Sequence, residues 1–214
     1  MSHLEHVLPV IVFLPFVVAI FTLLVGRLIG RQAGWLMVLS SVTAFSGSLW
    51  LFIHQQVHDR VVPVFTFAWL PDLNIHLNLR ADPFGLFFAM LIAGIGVLVG
   101  IYSLGYIPRL ATSRIGRYYA ALIGFMGSML GIALADDLFL LFVFWEVTSI
   151  TSFLLIGFWY EQDKARKGAL TALQITALGG LAMMAGIVLI GEATGTYQIS
   201  DMASHEPLQP QLTE

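Results

Sequence analysis

Residues 138–149, with the sequence LFLLFVFWEVTS, decide the fold class of this chain, because an unbroken apolar run holds a single acidic residue, Glu146. In an α-helix that begins at residue 138, Glu146 lies about 12 Å along the axis, since each residue adds about 1.5 Å. A carboxylate near the centre of a bilayer costs about 2.5 to 3.5 kcal/mol, so it normally faces protein or water. The stretch therefore predicts a membrane-spanning helix whose acid handles a proton or an ion.

The composition extends this prediction to the whole chain. Of the 214 residues, 58% are hydrophobic and 11% are charged, whereas a soluble domain carries about 25% charged residues. Apolar runs near the length of about 20 residues that a span requires predict six transmembrane helices. Their approximate limits are 7–25, 34–53, 82–107, 118–135, 138–160 and 168–191. The predicted fold class is an all-α integral membrane protein.

The connection between the second and third helices is predicted to be an external β-hairpin. Residues 74–80 alternate polar and apolar side chains with period two, and they follow the apolar run 64–69 across a turn at Pro71 and Asp72. Asp82 and Pro83 then suit the N-cap and the first residue of helix three. Both of these residues have a structural interpretation.

The distribution of basic residues predicts the orientation in the membrane. Eight of the ten lysines and arginines follow helices one, three or five, and the other two, Arg60 and Arg80, fall on the opposite side. Cytoplasmic loops carry an excess of lysine and arginine, so both termini are predicted to face away from the cytoplasm. The eight cytoplasmic residues are Arg27, Arg31, Arg109, Arg114, Arg117, Lys164, Arg166 and Lys167.

Four polar residues are candidates to support Glu146. Ser149, three residues later, shares its helical face. Gln174 of helix six lies within the membrane and either contributes to a proton path or joins helices by a hydrogen bond. Asp136 and Asp137 precede helix five, where an acid caps free backbone N–H groups. Capping is the favoured interpretation for both aspartates, with access of cations to the membrane as the alternative.

Neither a metal nor a cofactor is predicted. The chain has no cysteine, which excludes thiolate metal sites. Its histidines fall in termini or external segments, and only His54 and His58 have a ligand-like spacing, without a third ligand. No motif for nucleotide or nucleic-acid binding is present. The predicted contacts are with lipid, with ions and with other protein subunits.

Glu146 lacks an obvious charge partner in this sequence. A buried carboxylate must either pair with a cation or hold a proton. The chain has two lysines, Lys164 and Lys167, and both lie at the predicted cytoplasmic start of helix six. We therefore expect that Glu146 is mostly neutral or that a helix outside these residues supplies the cation.

The residues around Glu146 carry a family resemblance. Residues 144–159, FWEVTSITSFLLIGFW, followed by Gly-Ala at 168–169 and Gly-Gly at 179–180, resemble the antiporter-like subunits shared by Mrp-type cation/proton antiporters and respiratory complex I. The segments DPFGL at 82–86 and TGTY at 194–197 are most similar to the large A subunit of Mrp antiporters. The resemblance covers most of the chain.

This resemblance implies a role in exchange of Na⁺ for H⁺, with K⁺ or Li⁺ as other candidate cations, in a hetero-oligomeric complex of a bacterial plasma membrane. In that family the glutamate that matches Glu146 pairs with a lysine on the seventh helix. The sequence stops at Glu214, before such a helix. We therefore expect an amino-terminal piece of a longer subunit.

Three regions and three functions are predicted. Residues 1–117 hold helices one to three and a basic cytoplasmic segment, residues 118–197 begin a proton-translocating module, and residues 198–214 form a polar external tail. The favoured function is a subunit of a secondary cation/proton antiporter, in which Glu146 transfers protons. The alternatives are a proton-pumping subunit of a complex I-like NADH:quinone oxidoreductase and a non-conducting scaffold.

Overall fold

The computed structural model describes residues 2–57, 62–70, 75–106 and 112–204. Six helices within these ranges are long and apolar enough to cross a membrane, which confirms the predicted all-α membrane fold. The elements are α1 (Ser2–Ile29), α2 (Ala33–Val57), β1 (Val64–Leu70), β2 (Ile75–Arg80), α3 (Pro83–Tyr106), α4 (Thr112–Leu134), α5 (Leu138–Ile156), α6 (Asp163–Thr194) and α7 (Ile199–Ser204).

Several helix limits differ by four to six residues from the predicted ones. Helix α1 begins at Ser2 and α4 begins at Thr112, five and six residues before their predicted starts. The helix α6 begins at Asp163, five residues before the predicted limit, because a polar first turn still forms helix although it does not look like membrane sequence. The helix α5 ends at Ile156, and a short 3₁₀ turn follows over Gly157–Trp159. Hydrophobicity marks the apolar part of a helix and not its hydrogen-bonded ends.

The predicted hairpin between α2 and α3 is present. Strands β1 and β2 pair antiparallel, with Val64 opposite Arg80 and Phe67 opposite Leu77, and the register shifts between Ala68 and Leu70. The predicted turn at Pro71 and Asp72 lies outside the described residues. The alternation of residues 74–80 predicted β2, in which Leu77 and Leu79 pack on the hydrophobic core.

Helix α3 begins as predicted. Asp82 Oδ1 accepts a hydrogen bond of 2.5 Å from the backbone N–H of Gly85, and Pro83 is the first residue of the helix. An acid at this position satisfies one of the N–H groups that the first turn leaves free. The structural interpretation of Asp82 and Pro83 is confirmed.

The most extensive helix contacts are those of α1 with α4, α2 with α3, α4 with α5 and α5 with α6. Because α4 also contacts α2 and α3, it lies in the interior of the bundle. The backbones of α1 and α4 approach closely at Gly26 and Gly116, where a Cβ on Gly116 would lie 3.0 Å from Gly26 Cα. Small residues permit such contacts between membrane helices. Fully buried side chains of this core include Leu8, Leu51, Ile123, Leu130 and Leu134.

One end of the bundle is closed by backbone hydrogen bonds between the hairpin, the start of α5 and the start of α7. The N–H of Asp136 donates to the carbonyl of Asn78 at 2.8 Å, and the N–H of Ile199 donates to the carbonyl of Asp136 at 2.9 Å. The polar segment predicted at 198–214 thus opens with a helix that the sequence pattern did not predict. Its residues 205–214 lie outside the described ranges.

Candidate functional site

Asp137 caps α5. Its Oδ1 accepts hydrogen bonds from the N–H groups of Phe139 at 2.8 Å and Leu140 at 3.1 Å. The Asp137 backbone is extended, as an N-cap residue requires. The capping interpretation is confirmed for this residue, and the cap fixes where the helix that carries Glu146 begins.

Asp136 is 3% exposed and binds the start of α7 instead of capping α5. Its Oδ1 accepts from the N–H of Ser200 at 3.0 Å, and its Oδ2 accepts from the Ser200 hydroxyl at 2.7 Å. The side-chain amide of Gln198 donates to Oδ2 at 3.4 Å. The prediction that Asp136 caps α5 is therefore wrong. Its carboxylate accepts hydrogen bonds from donors that lie about 60 residues later in the chain.

Glu146 lies in the middle of α5, eight residues after its first residue, Leu138. The rotation of α5 is set by Phe144, whose ring covers Gly131 of α4. The same ring stands 6.3 Å from that of Phe13 and 6.0 Å from that of Phe16, both on α1. Phe144 thus points at α4 and α1, which leaves the side of α5 near Glu146 facing α6.

The carboxyl group of Glu146 reaches α6 at Gly180. Its Oε1 is fully buried and has no hydrogen-bond partner among the described residues. It lies in the space that a Cβ would occupy at Gly180, and Cδ would be 3.2 Å from that Cβ. A buried polar atom without a partner costs about 1 to 3 kcal/mol, so such an atom in a native site calls for a functional explanation.

Ser149 is brought to the same face but does not bind Glu146. It is buried, and its hydroxyl donates to the carbonyl of Trp145 at 3.2 Å. Gln174 is exposed on α6. It lies six residues before Gly180, which corresponds to about 9 Å along the helix and about 240° of rotation. The structure therefore places Gln174 on another face of α6 from the residue that touches Glu146.

The charged pairs of the described residues lie away from Glu146. Arg114 forms a two-point ion pair with Glu161, in which Nη1 is 3.2 Å from Oε2. Arg166 pairs with Asp163 one turn earlier at 2.7 Å. Both pairs are exposed and lie near the start of α4 or α6. The side-chain hydrogen bond from Arg114 holds the pKa of Glu161 below its ordinary value of 4.5.

An apolar cleft of about 600 Å³ opens between α1, α4 and α5. Phe16, Ile20 and Leu23 line it from α1, and Thr151 lines it from α5. The hydroxyl of Thr151 donates to the carbonyl of Val147 at 2.7 Å. The cleft therefore offers few polar groups for a chain of water, and it lies on another side of α5 from Gly180.

Residues that could hold a metal are not gathered at this site. Within the described ranges, no three His, Cys, Asp or Glu side chains lie close enough together to form a metal site. What the arrangement offers is one ionisable group in the middle of a span, with one oxygen shielded from solvent. Such a group can take up and release a proton.

Two functional features were missed by the sequence analysis. The contact between Glu146 and Gly180 joins residues on different helices, and the pair Gly179-Gly180 was the only signal for it. The second feature is a hydrogen-bond network of Asn78, Asp136, Gln198 and Ser200. No short stretch of sequence predicts it, because three of its side-chain bonds join residues that are 62 to 120 positions apart.

Two family models match the chain. Residues 135–212 match the model described as NADH:quinone oxidoreductase/Mrp antiporter, TM. Residues 68–119 match the model described as NADH-Ubiquinone oxidoreductase (complex I), chain 5 N-terminus. The first match contains α5, Glu146 and Gly180, and the second contains β2 and α3.

The curated relatives include the Na(+)/H(+) antiporter subunit A1 of Staphylococcus aureus, which is 36% identical over 199 residues. That alignment covers 92% of this chain and 24% of the relative. The chain therefore spans about a quarter of the length of the curated relatives it matches.

Solved structures of similar fold include two membrane complexes. The Mrp complex from Dietzia sp. DQ12-45-1b gives a TM-score of 0.80 at 32% identity, over 92% of this chain and 21% of the compared chain. The membrane-bound sulfane sulfur reductase, an archaeal respiratory membrane complex, gives a TM-score of 0.78 at 21% identity, over 92% of this chain and 39% of the other. The second likeness concerns the fold alone.

Proposed function

Because the chain belongs to the superfamily of antiporter-like membrane subunits that Mrp antiporters share with complex I, we propose that it acts in a multisubunit antiporter that exchanges Na⁺ for H⁺. K⁺ or Li⁺ are the other candidate cations. Glu146 is the intramembrane residue that takes up and releases the proton. The chain is thus a component of a secondary transporter.

The observation that carries this proposal is the buried Oε1 of Glu146, which has no hydrogen-bond partner among the described residues. A structural glutamate in a membrane helix is normally satisfied by a donor or a cation. Glu146 instead has a buried oxygen in the middle of α5 that no donor of the described residues satisfies. An acid held in this state is suited to change its protonation during a transport cycle.

The cation that complements Glu146 comes from another segment or subunit of the assembly. The two ion pairs of the described residues do not include Glu146. Helix α6 packs mainly against α5 and has few buried residues along its 32 positions. Its remaining faces are free to receive further helices, one of which would bring the positive charge.

We assign the other candidate residues as follows. Ser149 and Gln174 are supporting polar groups, Ser149 on the Glu146 face and Gln174 toward a neighbouring helix. The hydrogen bonds of Asp136 and Asp137 support a structural role at the end of the bundle. The alternative is that cations reach the membrane past these two aspartates. Replacing each aspartate by an uncharged residue separates the two roles, because a structural role affects stability and a role in cation access affects the KM for the cation.

The regional division follows from this assignment. Residues 118–197 begin the proton-translocating module, residues 1–117 hold the helices and the hairpin that precede it, and residues 198–214 are an external segment. The boundary at 117/118 falls inside α4 (Thr112–Leu134). Both termini lie on the non-cytoplasmic side of a bacterial inner membrane, because the basic residues concentrate at the other ends of the helices.

The test is exchange activity of the assembled complex in proteoliposomes. Glu146→Gln keeps the size of the side chain but removes the ionisable proton, and we expect cation-dependent proton movement to fall by about 100-fold or more, the usual scale for losing an acid–base group. Glu146→Asp keeps the acid but withdraws it by one methylene, so partial activity is expected. Unchanged exchange by Glu146→Gln at equal complex content would refute the proposal.

A respiratory role is the second candidate function. It is favoured by the match of residues 68–119 to a complex I family model. This role predicts that the native complex copurifies with redox subunits and that its proton movement depends on quinone reduction. A scaffold role predicts that Glu146→Gln leaves exchange intact while disruption of α1, α2 or α3 prevents assembly.

A further inference from the structure

Gly180 is the point of α6 that lies closest to the acid of α5. A Cβ built on Gly180 would overlap Oε1 of Glu146, and it would lie 3.2 Å from Cδ and 3.7 Å from Oε2. All three carboxyl heavy atoms therefore lie within 4 Å of the one position that glycine leaves empty. Gly180 is itself buried.

The backbone conformation does not explain a glycine at this place. Within the described residues, the glycines with positive φ are Gly30 and Gly195, so Gly180 has a helical conformation that other residues adopt readily. Glycine is unfavourable inside a helix compared with alanine. Space for the Glu146 carboxyl group is the feature of the fold that requires a missing side chain at position 180.

The neighbouring Gly179 provides an internal comparison. It is exposed, and a Cβ placed there would meet no atom within 4 Å. Both glycines lie inside α6, so replacement by alanine changes the intrinsic helix preference equally at the two positions. Within the described residues, the two alanine variants therefore differ in the contact of position 180 with Glu146, and rescue by Glu146→Asp separates this contact from any that α6 makes with a further helix.

We propose that Gly180 is a positioning residue for proton transfer: its missing side chain creates a seat in the α5–α6 interface that holds the Glu146 carboxyl group and shields Oε1. The inference rests on the proposed function of Glu146 and deepens it. A carboxyl group that is held in one place presents its second oxygen at a fixed distance from its proton donor or cation, and transfer depends on such distances.

The experiment compares Gly180→Ala, Gly179→Ala, Glu146→Asp and the double variant Glu146→Asp/Gly180→Ala in the assembled complex. We expect Gly180→Ala to lower exchange about tenfold, because misplacement of a reacting group by about 1 Å has effects of this order or larger. It should also shift the pH of half-maximal exchange. Gly179→Ala should change neither quantity.

The double variant tests whether the defect of Gly180→Ala comes from overlap with the Glu146 carboxyl group. Aspartate is one methylene shorter and leaves room for the alanine Cβ, so Glu146→Asp should raise the activity of Gly180→Ala severalfold although it lowers that of the wild type. If Gly180→Ala prevents assembly, Glu146→Asp should restore assembly for the same reason. Failure of the aspartate to rescue either property would overturn the inference.

The outcomes for Gly180 and Glu146 are separable. Loss of exchange in Glu146→Gln, together with identical rates and pH profiles for Gly180→Ala and Gly179→Ala, would retain the proposed function and overturn the positioning role. Full exchange in Glu146→Gln would overturn the proposed function itself. Complex content is measured in every sample, so a low rate is not confused with low assembly.

Discussion

The ring of Phe144 on α5 lies directly over Gly131 on α4, and this contact determines where Glu146 points. Residues 144 and 146 are about 200° apart around a helix. A helix whose Phe144 is fixed against α4 and α1 must therefore direct Glu146 away from them, toward α6. The position of the candidate acid thus depends on an aromatic side chain two residues earlier and on a glycine in another helix.

Enlarging Gly131 should disturb this arrangement. In Gly131→Val the new side chain overlaps the Phe144 ring, and overpacking of a core contact costs about 1 to 3 kcal/mol. We expect a lower thermal midpoint of the purified complex and lower exchange. Gly124→Ala is the control, because its Cβ would lie an ordinary 3.4 Å from Thr151 Cγ2. Equal stability of the two variants would contradict the account.

Replacement of Asp137 should affect stability and leave cation affinity unchanged. Asp137→Ala removes the cap of α5, a loss of about 1 kcal/mol, and should lower the thermal midpoint. Asparagine caps helices as well as aspartate does, so Asp137→Asn should behave like the wild type. A raised KM for Na⁺ in Asp137→Asn, measured in proteoliposomes, would instead support access of cations through this residue.

The bond between Asp136 and Ser200 should hold α7 against the start of α5. Asp136→Ala leaves the half-buried donors of Ser200 and Gln198 without their acceptor, which costs at most about 1 to 3 kcal/mol. Ser200→Ala removes one hydroxyl donor and should have a smaller effect, and both changes should increase hydrogen exchange in α7. If the backbone amides of α7 exchange hydrogen at the same rate in the wild type and in Asp136→Ala, the bond does not hold the helix.

The ion pair of Arg114 and Glu161 should make a pH-dependent contribution to stability. The pKa of Glu161 is lowered in the folded protein by the hydrogen bond from Arg114, so its stabilisation is present above the ordinary pKa of 4.5 and is lost as the pH falls through the lowered value. Glu161→Gln should therefore lower the thermal midpoint slightly at pH 7, and the difference should vanish in acid.

Asp163→Asn is the matched control for that series. Its pair with Arg166 is more exposed, with 58% and 72% of the two side chains accessible, against 26% and 46% for the Arg114–Glu161 pair. Exposed ion pairs contribute little to stability, so the thermal midpoint of Asp163→Asn should lie closer to that of the wild type than the midpoint of Glu161→Gln does. An equal effect of Glu161→Gln at pH 7 and in acid would contradict a pH-dependent contribution of the ion pair.

The features that the sequence predicts are those with a local cause. Six spans follow from the length of apolar runs, the hairpin follows from alternation in β2, and the caps at Asp82 and Asp137 follow from the chemistry of a helix start. Each signal lies within a few residues of the feature that it predicts. The fold class could therefore be derived without knowledge of distant contacts.

The features that the sequence did not predict depend on contacts between distant parts of the chain, such as the rotation of one helix against another. Glu146 and Gly180 are 34 residues apart in the sequence, and their contact exists because Phe144 fixes the rotation of α5. The partner of Asp136 is likewise 64 residues away. The sequence predicted Glu146 as an acid inside a membrane helix, whereas its contact with Gly180 is visible only in the packed structure.

The central claim is that Glu146 changes its protonation while cations are exchanged, and infrared difference spectroscopy on the assembled complex tests it most directly. Carboxyl bands that change when Na⁺ is added should contain a glutamate component, assigned by isotope labelling of glutamate. We expect that component to disappear in Glu146→Gln together with exchange. A glutamate signal and an exchange rate that both persist unchanged in Glu146→Gln would contradict the account.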